Sequence, residues 1–246
     1  MALTPDDIER HKRHILLKEI GGTGVQKLRA ASVSIVGAGA LGGPCALYLA
    51  AAGVGVIELW DDDLVDRSNL QRQVQFSERD IGRAKVEMLA QRLGGLNPGV
   101  KITAHQARFG EGTVLAGDIL IDASDNYPTR FSLNALAHRS GRALVSGAAS
   151  GWAGQVSVFA SGLDDNTPCY RCFVPEIPPQ AQACDEVGVV GALTGQVGAA
   201  MALEAVKLIT GAGDPLIGRV QIVDGLAGAV RVVKLRRNLD CVVCAR

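Results

Sequence analysis

The chain has 246 residues, 48% of them apolar, and carries 25 basic against 25 acidic side chains, for zero formal net charge. That size supports one large α/β domain with a sizeable core, and the charge balance argues for neither nucleic acid nor an anionic membrane as partner. No apolar run reaches the roughly 18–20 residues of a spanning helix. The charged start, MALTPDDIERHKRH, lacks the apolar centre of a signal peptide, so a cytoplasmic location is expected. In that reducing compartment six cysteines read as metal or catalytic ligands before disulfides.

In chain order, residues 6–18 have the pattern of a polar amphipathic helix, and GGTGVQKLRAAS leads into a first strand, Val33 to Val36. A helix follows from about Leu41 to Ala51, ended by Gly53 and Gly55, and then a strand, VIELW. Residues 62–80 are too polar for a core element. A helix from about Arg83 to Leu93 is closed by GGLNPG, and KITAHQ is a short strand. DILIDAS is a buried strand with a polar end, Thr129 to Arg139 is helical, and ALVSGAA is another buried strand. The alternation through Val145 predicts βαβ units, hence a Rossmann-like, doubly wound, mostly parallel sheet. GQVSVFA, RVQIVDG and AVRVVKL lack such helices between them and extend the sheet in antiparallel fashion. A Pro-rich loop, Val174 to Gly188, and an apolar helix, Leu193 to Ile209, lie among them. The division expected within one domain is 1–30 (helical segment), 31–150 (nucleotide half) and 151–246 (partner and zinc half).

Gly37, Gly39 and Gly42 match G-x-G-x-x-G between a strand and a helix, the context of a dinucleotide fingerprint. Phosphate would approach at Gly39, against the free N–H groups of the helix start. Asp61 ends the second strand, where an acid meets ribose hydroxyls. SNLQRQ then adds Arg72, a planar fork for phosphate oxygens, with Asn69 and Gln73 as neutral donors. Without the glycines upstream it would be a polar surface loop. Lys85 opens a helix, against the dipole, which suggests a phosphate contact; a solvated lysine is the alternative. Asp122 and Asp125 close a buried strand whose end faces the ligand crevice. A carboxylate there suits Mg²⁺; Asp125 could instead cap the helix at Thr129, and Asp122 could be structural only.

Cys169, Cys172, Cys241 and Cys244 form two C-x-x-C pairs about 70 residues apart. Four thiolates leave no open position on a tetrahedral Zn²⁺, so the expected site is structural; a redox dithiol is the alternative. Cys184 stands apart in a polar loop, as a nucleophile or an ordinary free thiol, and Cys45 reads as core.

GAGALG, WDDDLVDRSNLQRQ, IGRAKVE, DASDN, PCYRC, QACDEVGVVG and CVVC, in this order, resemble the MoeB/ThiF family of adenylyltransferases, relatives of ubiquitin-activating enzymes. The resemblance covers about Ile8 to Cys244. It implies that ATP and Mg²⁺ adenylate the C-terminal glycine of a small β-grasp sulfur carrier ending in Gly-Gly, for molybdopterin or thiamine synthesis. It implies adenosine contacts at Gly39, Gly42 and Asp61, and phosphate contacts at Asn69, Arg72, Gln73 and Lys85. It further implies Mg²⁺ at Asp125, zinc at the four paired cysteines and sulfur transfer at Cys184. Arg13 has the place of an arginine that a second subunit of a homodimer lends to the phosphates; locally it reads as a solvated face. Arg10-His11-Lys12-Arg13-His14 departs from the family's Arg-Tyr-x-Arg-Gln, and Ser124-Asp125-Asn126 from its Thr-Asp-Asn. The chain stops two residues after Cys244, so a separate sulfur donor, a desulfurase or rhodanese, is expected. An NAD(P)-dependent oxidoreductase and a non-catalytic scaffold for a ubiquitin-like protein are the alternatives. The first leaves SNLQRQ and the cysteines unexplained; the set Asp125, Arg72 and Lys85 argues against the second.

Overall fold

The structure, a computed structural model, describes residues 3–178 and 188–245. Helix α1 (Pro5–Ile15) begins at a reciprocal cap, in which Asp7 N–H donates to Thr4 and the Asp7 carboxylate accepts from Thr4 N–H. Helix α2 (Gly21–Ala30) occupies the stretch expected as a lead-in to the first strand. Its three apolar side chains are too few and its glycines too many for a legible helix; Val25 and Leu28, fully buried, hold it by packing.

Strand β1 (Ser32–Val36), helix α3 (Gly42–Ala52), strand β2 (Val56–Trp60), helix α4 (Lys85–Leu96) and strand β3 (Lys101–His105) make the first βαβαβ run. Strand β4 (Ile119–Asp122), helix α5 (Tyr127–Arg139) and strand β5 (Ala143–Ser150) make the return. The sheet order is β3-β2-β1-β4-β5, all parallel, continued by β6 (Ala153–Phe159), β7 (Arg219–Asp224) and β8 (Ala229–Lys234), all antiparallel. The expected parallel sheet with an antiparallel extension is therefore present. The glycine pair Gly94-Gly95 does not close α4, which runs on to Leu96.

Alternation along the strands splits the core in two. Val33, Ile35, Ile57, Leu59, Ile121 and Val145 face α3, α4 and helix α7 (Gly191–Thr210). Val36, Leu120 and Leu144 face α5, Phe109, Leu115 and Tyr170 of the short helix α6 (Tyr170–Phe173). Cys45 is fully buried in the first cluster, as its apolar neighbours suggested.

Helix α7 corrects the expectation that no segment is long enough to cross a membrane. Its 20 residues meet the length and composition of a span. Here Val197, Met201, Ala202 and Ala205 lie buried in the core shared with α3 and the sheet. Glu204, also buried, accepts from Leu216 N–H at 2.7 Å and pairs with Lys207. A carboxylate so placed needs those partners to offset its desolvation.

A Cβ on Gly42 would lie 1.7 Å from the Gly37 carbonyl oxygen. Gly42→Ala should therefore cost about 3 kcal/mol in urea unfolding, at the upper end of overpacking effects. Gly94, with nothing near its Cβ position, is the control. In a helix interior its change to alanine should be neutral or stabilising by up to ~1 kcal/mol.

Candidate functional site

The parallel strands β1, β2 and β4 end on one edge of the sheet, and the residues singled out from the sequence gather there. The turn after β1 needs Gly37, whose φ of 99° is the left-handed region. Gly37 N–H donates to Trp60 O at 2.8 Å, and Ala123 N–H to Val36 O at 2.9 Å, so main chain alone ties three strand ends together. Gly39 has only the Gln73 amide near its Cβ position, at 3.4 Å, leaving its other side open. Helix α3 starts without a side-chain cap, which leaves donors for an anion.

Asp61 follows β2 directly and accepts from Ala38 N–H at 2.7 Å and from Asp63 N–H at 2.9 Å. Burial pushes its carboxyl above the usual range, against the Ala38 N–H and Lys85, which hold it down. Lys85, the first residue of α4, is buried rather than solvated. Its Nζ donates to Asp63 Oδ2 at 2.6 Å, and that carboxylate offsets a charge placed against the helix dipole. The main chain pairs as well, Lys85 N–H donating to Asp63 O at 3.0 Å.

The SNLQRQ segment is built on a single 3-10 turn, Arg67–Asn69, in which Asn69 Oδ1 accepts from Asp66 N–H at 3.3 Å. Arg72 is half-buried; among the described residues its guanidinium donates to Ser68 O at 3.1 Å and forms none of the ion pairs. Gln73 is buried with its Oε1 unpartnered. Gln75, which sequence reasoning passed over, donates to both Ala38 O and Gly39 O at 3.0 Å and so braces the glycine turn from below. The sequence carries no signal for it, since Gln75 lies between the apolar Val74 and Phe76, where alternation points outward. The uncapped start of α7 also arrives here, since a Cβ on Gly191 would lie 2.4 Å from Gln71 O.

At the end of β4 the two aspartates separate. Asp122 is fully buried and accepts from Ser124 N–H and Oγ–H, from Ser146 Oγ–H at 2.7 Å and from Arg130 at 3.3 Å. Arg130 also donates to Gly147 O and Ser124 O. Asp122 thus fixes the turn, the structural role allowed for it. Asp125 is exposed, and among the described residues its one side-chain hydrogen bond is with Asn126 Nδ2, at 3.3 Å. It does not cap α5; Asn126 does, accepting from Thr129 N–H at 3.0 Å. Asp125 thus stands exposed in the turn that follows β4.

Arg13 is the residue the chain does not bring to this edge. It is exposed in the last turn of α1. That helix is anchored by Arg10 on Leu96 O at 3.1 Å and by His11 packed on Gly53. Leu96 and Gly53 end α4 and α3, whose first turns hold Lys85 and Gly42. At 1.5 Å per residue those ends lie roughly 16–18 Å from the site edge.

A second cluster joins the tail to the segment after β6. Cys169 Sγ lies 3.5 Å from Cys241 Sγ, and Cys172 Sγ lies 3.4 Å from Cys244 Sγ; the four sulfurs are all within 4.8 Å of one another. Disulfides need about 2.05 Å; four sulfurs around one tetrahedral Zn²⁺ at 2.3 Å sit about 3.8 Å apart. The donor set fits zinc. Burial pushes the Cys169 and Cys172 thiols up, whereas Cys241, against its own burial, is brought down to about 7 by backbone N–H groups of Cys244 and Val243; a bound cation would favour thiolate at all four. Cys184 lies outside the described residues.

The family model described as "ThiF family" matches residues 11–243. The SAMP-activating enzyme E1 of Haloferax volcanii is 42% identical over 250 residues, covering 99% of this chain and 91% of that protein. The sulfur carrier protein adenylyltransferase of Thermus thermophilus is 40% identical over 252 residues, covering 99% and 93%. The maize adenylyltransferase and sulfurtransferase MOCS3-2 is 41% identical, but the chain spans only 51% of its length. Among solved structures, E. coli MccB with MccA-N7isoASN superposes with a TM-score of 0.86, covering 99% of this chain and 75% of that one. MccB with ATP gives 0.85, covering 98% and 75%. Both are 22% identical and speak to fold alone. With its family model matched almost end to end and relatives at 40–42% identity across 99% of it, the chain belongs to the ThiF family.

Proposed function

We propose that the protein uses ATP to adenylate the C-terminal glycine carboxylate of a small β-grasp sulfur carrier, releasing pyrophosphate. The observation that carries this reading is the gathering of an open glycine turn, Asp61, Arg72, Lys85 and Asp125 at one sheet edge. In this reading Asp61 holds the ribose, and the Gly39 main chain and the start of α3 receive the phosphates. Carboxylate attack on the α-phosphate brings two anions together, so the site needs positive charge and alignment more than a strong base. Arg72, with no acidic partner among the described ion pairs, is available for phosphate oxygens. Lys85 would exchange Asp63 for a phosphate oxygen, while Asn69 and Gln73 donate neutral hydrogen bonds. Asp125 would hold Mg²⁺, which supplies charge neutralisation on the phosphates when bound. The names of the Haloferax and Thermus relatives support a sulfur carrier as substrate.

The four paired cysteines would hold a structural Zn²⁺ that clamps the tail to the sheet. The reading includes a homodimer, a separate sulfur donor and a single domain. Cys184 is assigned the sulfur relay, downstream of adenylation. Molybdopterin and thiamine synthesis are the two destinations proposed for the carrier's sulfur. The test is ATP–pyrophosphate exchange with a carrier of each type ending in Gly-Gly. Carrier-dependent exchange is expected with one of them, and its absence with both, in zinc-replete protein, overturns the proposal. Hydride transfer from NAD(P)H in place of exchange would restore the oxidoreductase reading.

The distance of Arg13 from its own site gives a second test. If Arg13 serves the partner's phosphates, Arg13→Ala and Arg72→Ala proteins should each be nearly inactive. Mixed in equal parts, they should recover about a quarter of wild-type exchange, since half the dimers are hybrids with one intact site of two. No recovery on mixing, with subunit exchange verified, would place Arg13 outside the site.

A further inference from the structure

A recess of about 510 Å³ lies on the outer side of α4, lined by Ser77, Arg79, Asp80, Arg83, Met88 and Arg92 among others. It contains three guanidinium groups and one carboxylate, a local excess of two positive charges on a chain of zero net charge. The carboxylate is already engaged. Asp80 is buried and accepts from Ser77 N–H and Oγ–H at 2.8 Å each and from Arg92 at 3.2 Å. Those bonds hold its pKa below the usual carboxylate value against the burial that raises it. Arg92 is thereby fixed in orientation by a buried anchor. The nearest acid in sequence, Glu78, is taken by Arg67 at 2.9 Å. Glu87 of α4 does not line the recess and makes none of the ion pairs among the described residues. Arg79 and Arg83 have no acidic partner in those ion pairs either.

We propose that this recess is a binding site for a phosphate-bearing small molecule, distinct from the nucleotide site. An excess of two positive charges matches a phosphate dianion, and guanidinium forks match its oxygens in geometry. The volume is far larger than phosphate alone requires, so the ligand class is pyrophosphate or a phosphate monoester, with Met88 and Gln91 offering a wall to the rest of the molecule. The recess also has a mechanical link to the other site. Arg83 O accepts from Val65 N–H at 2.8 Å, and Gly82 N–H donates to Val65 O at 2.9 Å. This pairing continues to Asp63 and Lys85. A ligand that orders Arg83 would therefore also steady the segment from which Lys85 projects.

The test is calorimetric titration of the full chain with pyrophosphate, with and without a saturating non-hydrolysable ATP analogue. A binding event that survives the analogue, and weakens at least tenfold in Arg79→Gln/Arg83→Gln, is expected. Both side chains are exposed and bond to nothing buried, so the double variant should fold and should bind the analogue as wild type does. Absence of the surviving event, or its persistence at full strength in the double variant, overturns the proposal. A Glu-rich peptide that binds at these arginines where pyrophosphate does not would make the recess a protein-docking surface, and would overturn it as well. The outcome does not depend on the adenylation reading: if the analogue itself fails to bind, that reading falls while the arginine-dependent event stands or fails alone.

Discussion

Asp125→Ala is expected to lose at least about 10²–10³-fold of ATP–pyrophosphate exchange while ATP binding survives, the scale on which single electrostatic contacts to a transition state act. The reason lies in what Asp125 does not do for the fold. It is exposed, its one side-chain hydrogen bond among the described residues is to Asn126 at 3.3 Å, and the cap of α5 belongs to Asn126. The substitution should therefore leave unfolding within about 0.5 kcal/mol of wild type. Its neighbours give the contrast. Asn126→Ala removes the cap and should cost about 1 kcal/mol. Asp122→Ala leaves the buried Arg130 without its carboxylate and should cost about 3–5 kcal/mol. Steady-state exchange, nucleotide titration and urea unfolding on the three variants separate chemistry from stability. Full exchange in Asp125→Ala would refute the metal role.

Loss of the cysteine cluster is expected to have the largest effect on stability. The purified protein should carry one zinc per chain by elemental analysis, and Cys172→Ser should carry almost none. Structural zinc binding in small peptides is worth about 10–16 kcal/mol. Here a folded sheet already places the sulfurs within 4.8 Å of one another, so a loss of several kcal/mol is the expectation. The cross-link closes a loop of about 70 residues, and its loss returns that closure entropy to the chain. The tail beyond β8 should become protease-sensitive first, because Arg237 on Cys244 O and the cysteines themselves are what hold it. An unchanged melting temperature in metal-free, fully reduced protein would show that the clamp is not structural.

The parallel sheet and its antiparallel extension were legible because their signals are periodic and long. β4, at 119–122, is a continuous apolar run bounded by polar residues, and the loss of alternating helices after Val145 marked the change of strand direction. Helix α2 was not legible, since GGTGVQKLRA is held by two buried side chains that only the tertiary structure supplies. In the site, the residue types were readable and their partners were not. Lys85 looked like a charge opposing a dipole; that it lies buried against Asp63 depends on the chain doubling back from residue 63 to residue 85. The choice between Asp125 and Asn126 as cap turned on one residue of register. Gln75 escaped because a buried amide bracing main-chain carbonyls carries no motif.

The main chain does most of the tying at the strand ends, Gly37 to Trp60, Ala123 to Val36 and Lys85 to Asp63, with the Gln75 side chain added onto the carbonyls of residues 38 and 39. Scaffolding made from peptide groups is indifferent to most side-chain replacements. A fold built this way can keep its geometry through extensive side-chain replacement, and a TM-score of 0.86 at 22% identity shows the fold kept across such a difference.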